Sequence, residues 1–199
     1  MKNLVLATGN DHKAEEFKDL FTHCEFKILS ANKYGGMPEV IEDGKSFQAN
    51  AYLKAYALSK QLKKKHWVIA DDSGLEVDYL DGAPGIYSAR YAGAKASDMD
   101  NVNKLLGALS GVSKSKRRAR FRCVLCLIDK EGAAFYFEGS CEGIIGLKPK
   151  GKSGFGYDPI FLPDGYESSF AELGESIKMQ LSHRAIAVTT CKNFFEKKL

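Results

Sequence analysis

The amino-acid sequence predicts an α/β fold with a mixed β-sheet, parallel units early in the chain and antiparallel pairing in the middle. Three observations carry that expectation. The chain opens as strand, turn and helix, with Asn3 to Thr8, Gly9-Asn10 and Asp11 to Phe21 in succession. Apolar runs of strand length then alternate with amphipathic helical segments as far as Ile69. Further on, two strand-like segments around Cys123 and Phe135 are separated by the polar turn Asp129-Lys130-Glu131-Gly132, which a hairpin requires. At 199 residues, 44% of them hydrophobic, the chain can fill a real core as one generous domain or two closely joined lobes.

Each element follows from its pattern. Asp11 to Phe21 sets Ala14, Phe17, Leu20 and Phe21 on one helical face. Glu25 to Leu29 reads as a second strand, and residues 35–44 as a loop. Ser46 caps a helix whose apolar face is Phe47, Ala51, Ala55, Leu58 and Leu62. Trp67-Val68-Ile69 reads as a short buried strand, delivering Asp71 and Asp72 at its C-terminal end, where α/β sheets present their ligands. Taken alone, Ala70 to Gly74 is an acidic turn, because Asp, Ser and Gly all favour turns. Leu75 to Leu80 alternates like another strand, and residues 81–92 form a loop punctuated by glycine and proline. Ser97, with Asp100 three residues later, opens a helix that buries Val102, Leu105, Leu106 and Leu109. A second glycine-rich loop covers residues 146–158, and the final helix starts near Ser182 to bury Ala187, Val188, Cys191, Phe194 and Phe195. No repeat and no low-complexity linker interrupts the chain.

Composition excludes several classes. No apolar stretch approaches the roughly 18 residues that span a bilayer, and Leu4 to Ala7 is too short for a signal-peptide core, so a cytoplasmic protein without membrane contact is expected. The five cysteines are odd in number and scattered, which argues against a disulfide framework and for reduced, buried thiols. Cys123 and Cys126 form a C-x-x-C, but on a strand residues three apart face opposite ways, so the sulfurs should diverge. The net charge of +4 suits a protein that handles polyanions without naming one. Lys63-Lys64-Lys65 and the stretch from Lys114 to Arg122 read as solvated surface, and no aromatic platform accompanies them for nucleic acid.

The chemistry concentrates in a few places. Thr8-Gly9-Asn10-Asp11-His12-Lys13 joins a strand to a helix, where unpaired backbone N–H groups favour an anion, and it reads either as a phosphate cradle or as an ordinary turn. The adjacent Asp71 and Asp72 would welcome a hard divalent cation. Gly146 to Ser153 satisfies G-x-x-x-x-G-K-[ST], yet Gly154, Gly156 and Pro159 would break the helix that a P-loop must enter, so that motif is rejected.

Five blocks together carry a resemblance: Thr8-Gly9-Asn10 with Lys13; Ala70 to Leu75; Gly82 to Tyr91; Gly154 to Phe161; and Ser182-His183-Arg184. In this order they resemble the inosine triphosphate pyrophosphatase family along essentially the whole chain. The resemblance implies a single domain over residues 1–199 with an elongated, two-lobed α/β fold, a central mixed sheet flanked by helices, a cleft between the lobes and a homodimeric assembly. It implies a Mg²⁺-dependent enzyme that hydrolyses ITP, dITP and XTP to the monophosphate and pyrophosphate, keeping damaged purines out of DNA and RNA.

By the same resemblance, Asp72 is general base and metal ligand, Glu42 the second metal carboxylate, and Asp71 a support for both. Thr8, Gly9, Asn10, Lys13 and Ser73 hold the triphosphate; Phe155 stacks on the base, with Gly156, Tyr157, Asp158, Lys178, His183 and Arg184 around it. Lys152-Ser153 stands where glycine or arginine often precedes Gly154, and Leu181 replaces a commoner isoleucine. The rival readings are a pyrophosphatase of modified pyrimidine nucleotides and a non-catalytic nucleotide-binding module.

Overall fold

Alternating apolar residues let Lys2–Leu6 (β1) pair in parallel with Phe26–Ser30 (β2) on one side and Trp67–Val77 (β3) on the other, with Leu4 opposite Trp67 and Leu6 opposite Ile69. The computed structural model describes residues 2–22, 24 and 26–198; Glu25, the expected start of the second strand, lies outside them. Arg118–Ile128 (β4) and Ala134–Ile145 (β5) follow, joined by a turn too short for a crossover, so the two run antiparallel. In that turn Gly132, at φ +92°, donates its N–H to the Asp129 carbonyl. Phe161–Pro163 (β6) pairs antiparallel with β5 and completes a mixed six-stranded sheet of order β2-β1-β3-β4-β5-β6. The helices are Asp11–Leu20 (α1), Phe47–Gln61 (α2), Asp98–Ala108 (α3), Phe170–Leu173 (α4), Glu175–Leu181 (α5) and His183–Lys198 (α6). Among the described residues no helix is long and apolar enough to cross a membrane.

The chain divides into two compact units, and β3, β4 and β5 each pass from one to the other, at Asp72, Arg122 and Glu138. In the first unit the pleat sorts apolar side chains into two cores. Leu4, Leu6, Ile69, Cys123, Leu125 and Leu127 pack with Phe17 of α1 and Val188, Cys191 and Phe195 of α6. Val5, Ala7, Val68, Ala70, Cys126 and Ile128 pack with Ala51, Ala55 and Leu58 of α2 and with Leu62 just after it. Cys123 and Cys126 thus belong to different cores, as their spacing requires, and none of the five cysteines is in a disulfide. Cys24 is only half-buried, a departure from the expectation of burial for all. Burial pushes the Cys126 thiol up to about 12, which leaves it unreactive.

In the second unit Leu75 and Val77 of β3 pack with Val102 and Leu105 of α3, Leu109 just after it, Phe121 of β4 and Phe161 of β6. The capping box expected of Ser97 and Asp100 is present, with Ser97 accepting from the Asp100 N–H and Asp100 from the Ser97 N–H. Arg117, read from sequence within a surface basic cluster, is instead buried, with Nε on the Val112 carbonyl at 3.0 Å, Nη1 on Gly146 at 3.0 Å and Nη2 on Leu109 at 2.7 Å. It closes the C-terminus of α3, where a cation complements the helix dipole. Arg117→Ala should therefore cost about 3 kcal/mol of unfolding free energy in urea, by stranding buried carbonyls, and Arg117→Lys should recover only part of it. Equal stability of wild type and Arg117→Ala would contradict this role. Arg118, Arg120 and Arg122 do lie at the surface, bound by Glu76, Asp78, Glu142 and Asp164.

Three expectations are corrected. Trp67–Val77 is one uninterrupted strand, so Asp71 and Asp72 lie within it and neither close a short strand nor form an acidic turn. The extended path holds because β4 neighbours β3 in the sheet, β1 pairs with its start as far as Ile69, and Ser88 Oγ accepts the Leu75 N–H at 2.9 Å. Consequently Leu75 and Val77 extend this strand, and Asp78–Leu80 is a 3₁₀ turn. Within the expected loop of residues 81–92, Gly85–Arg90 forms another 3₁₀ turn. The segment after Ser153 contains no helix before Ser169, in keeping with rejection of the P-loop motif.

Candidate active site

The first unit carries two polar clusters, separated by the pleat of β3. Asn10 caps α1, its Oδ1 accepting the Lys13 N–H at 3.1 Å, and Thr8 Oγ1 accepts the Asn10 N–H at 3.1 Å. Gly9 is exposed, with open space where a side chain would stand. The Lys13 ammonium reaches the buried Asp71 carboxylate at 3.1 and 3.2 Å. That contact explains a lysine in the first turn of a helix, an unfavourable place for a cation unless a carboxylate faces it.

Asp72, the next residue, points to the other side and meets α2. Its Oδ1 lies 2.9 Å from Lys54 Nζ, its Oδ2 accepts from Asn50 Nδ2 at 3.2 Å, and Glu42 Oε2 is 3.0 Å from the same Lys54 ammonium. Burial raises the Asp72 carboxyl above the ordinary aspartate value, outweighing the lowering by Lys54. Burial also opposes the charge on Lys54, but Asp72, Asp71 and Glu42 together hold its pKa above the ordinary lysine value. A Cβ at Gly44 would approach Asn50 Oδ1 to 2.5 Å, so a glycine lets the Glu42 loop close over α2.

The donor set suits a hard cation. Glu42 and Asp72 converge on one positive charge, and the Oδ1 of Asn50, 1% exposed, accepts no hydrogen bond. Mg²⁺ characteristically takes one or two carboxylates and completes its shell with water and substrate phosphate. Among the described residues there is no group of three or more His, Cys, Asp or Glu arranged to hold a metal alone, so such an ion would depend on oxygens from outside the protein.

The second unit gathers the other residues. Asp158 Oδ2 accepts from the Phe155 N–H at 2.9 Å and from Lys178 Nζ at 2.7 Å, and that ammonium stands 4.5 Å from the Phe155 ring centroid. Gly154 is at φ +77°, and a Cβ there would strike the Asp158 carboxylate. Gly156, at φ +59°, donates its N–H to Asp98 Oδ2 at 2.6 Å. Tyr157 turns its ring into the core and donates its hydroxyl to the Ser88 carbonyl at 2.9 Å. His183 stacks on Phe121 with centroids 4.8 Å apart, and Arg184, 1% exposed, extends Nη2 towards Ser73 Oγ at a long 3.4 Å.

Sequence reasoning missed Asn50, Lys54, Ser88 and Asp98. For the first two a signal existed: Asn50 and Lys54 recur at helical spacing beside Phe47, Ala51 and Ala55, polar residues along a stripe that should be apolar. Ser88 stands within the Gly82 to Tyr91 block without a role of its own, and Asp98 carries no comparable mark, since their partners are 13 and 58 residues away.

A model of the Ham1 family matches residues 4–194. A protein of Opitutus terrae named dITP/XTP pyrophosphatase is 50% identical over 190 residues, covering 92% of this chain and 94% of its own. A protein of the same name from Bacillus subtilis is 41% identical over 196 residues, 98% of each chain. Among solved structures, the Ham1 protein of Staphylococcus aureus superimposes with a TM-score of 0.88 at 39% identity, covering 100% of both chains.

Proposed function

The chain belongs to the Ham1 family, and from that premise we propose that it hydrolyses dITP, ITP and XTP to the nucleoside monophosphate and pyrophosphate. The observation that carries this reading is the buried Asp72 carboxylate, shared with Glu42 around one cation position and made more basic by burial. In this reading Asp72 accepts a proton from water, the water oxygen bonds to the α-phosphorus, and the α–β anhydride bond breaks, its electron pair leaving with pyrophosphate. Mg²⁺ bound to Glu42 and Asp72 would withdraw charge from the phosphate oxygens. Thr8, Gly9, Asn10, Lys13 and Ser73 donate to the triphosphate through N–H, hydroxyl and ammonium groups. Asn50 orients the Asp72 carboxylate through its amide N–H.

The second unit reads the base. Phe155 provides the stacking surface, with Gly156, Tyr157, Asp158, Lys178, His183 and Arg184 forming its surroundings. Hypoxanthine and xanthine carry a carbonyl acceptor at C6 where adenine carries an amino donor, so the Arg184 guanidinium suits the first two and opposes adenine. A donor left unpaired costs roughly 1 to 3 kcal/mol, a tenfold to hundredfold preference. The same reading places the enzyme in the cytoplasm as a homodimer acting on free nucleotides.

Incubation with Mg²⁺ and, separately, ITP, XTP, ATP and dTTP, with pyrophosphate resolved from orthophosphate, tests the reading. Pyrophosphate is expected from ITP and XTP, with ATP turned over at least about tenfold more slowly. Orthophosphate as the sole product would overturn the bond cleaved, and preferential turnover of dTTP would assign the protein to pyrimidine nucleotides.

A further inference from the structure

We propose that Asp98 is a positioning residue for base recognition, its carboxylate clamping the backbone of loop 154–158 so that Phe155, Asp158 and Lys178 are held ready for a purine. This rests on the base-reading role given to that loop above. Two successive N–H groups of the loop end on carboxylates. Phe155 donates to Asp158 within the loop, and Gly156 donates to Asp98 on α3, at 2.9 and 2.6 Å. The second contact ties the Gly156 backbone to α3.

That helix is itself well anchored. Ser97 and Asp100 cap it, Asn101 Oδ1 accepts the Ala92 N–H at 2.7 Å, and Val102 and Leu105 lie in the core. Asp98 takes no part in the capping box and is exposed, so neither capping nor burial explains its contact with Gly156. A charge-assisted bond from a helix to the N–H of Gly156, at φ +59°, restrains the one backbone position of this stretch that has no side chain to hold it between Phe155 and the core-anchored Tyr157. Losing it lowers the fraction of binding-competent loop, and apparent affinity falls by that fraction. The carboxylates around Lys54 are untouched, so the chemical step on bound nucleotide is spared.

The test compares Asp98→Ala, Asp98→Asn and Asp100→Ala in the full chain, using KM and kcat for ITP, hydrogen exchange of residues 154–158, and Tm. Asp98→Ala should raise KM about fivefold to tenfold with kcat nearly unchanged, and accelerate exchange in the loop. Asp98→Asn keeps an oxygen acceptor and should fall between it and wild type. Asp100→Ala, which loosens the same helix end without touching the loop, should lower Tm and leave KM unchanged. Normal ITP turnover with wild-type KM and exchange in Asp98→Ala would overturn the clamp alone, as would a matching KM increase in Asp100→Ala. A wild-type protein that turns over no nucleotide would overturn the nucleotide reading and with it the purpose of the clamp, even if exchange quickened in Asp98→Ala.

Discussion

Asp72→Asn should reduce pyrophosphate release from ITP by about a thousandfold, the scale expected when a positioned general base is lost. The replacement is nearly isosteric, so the extended path of β3 and the packing of Ala70 and Leu75 on either side should survive. What disappears is a buried carboxylate whose pKa burial raises and which contacts both Lys54 and Asn50. The measurement is single-turnover hydrolysis of ITP at saturating Mg²⁺, with Tm recorded in parallel. An Asp72→Asn protein that stays folded and retains more than about a tenth of wild-type turnover would remove Asp72 from the role of base.

Lys54→Met is the second large effect, with an expected loss of about a hundredfold in kcat/KM. Lys54 Nζ lies 3.0 Å from Glu42 and 2.9 Å from Asp72, so its removal leaves two carboxylates facing each other with no positive charge between them. Their mutual repulsion favours any cation that enters. Lys54→Met should therefore bind Mg²⁺ more tightly than wild type while turning ITP over more slowly, a combination that simple unfolding would not produce. Calorimetric titration with Mg²⁺, set beside initial rates, separates the two effects. Weaker Mg²⁺ binding together with slower turnover would mean that the ammonium helps to shape the carboxylate pair and does not stand in for the ion.

Local chemistry was readable from the residues alone. Ser46, the Ser97 and Asp100 pair and the Asp129 to Gly132 turn act on backbone within a few residues, and each does what its composition requires. The stripe Phe47, Ala51, Ala55, Leu58 and Leu62 is buried along its length for the same reason. Asp71 to Gly74 was misjudged because turn propensity is weak beside a strand already begun on β1, the neighbouring β4 and a serine hydroxyl reaching in from residue 88. Arg117 looked like one charge among many, and only the fold brings the Leu109, Val112 and Gly146 carbonyls around it. At the site, motif resemblance named Asp72 and Glu42 but not the lysine that joins them, because that lysine matters through contacts 12 and 18 residues distant.

Because β3 is pleated, Asp71 falls to α1 through Lys13 and Asp72 falls to α2 through Lys54 and Asn50. The span from Trp67 to Asp72 therefore works like a reading frame. A one-residue shift of this whole stretch would turn Asp71 towards α2 and Asp72 towards α1, and exchange the core placements of Val68 and Ile69 in the same stroke. Substitution can vary this stretch gradually, whereas a change of length could not. The loop at residues 35–41, ahead of Glu42, has no strand register to keep, so it is where length differences within this part of the chain should accumulate.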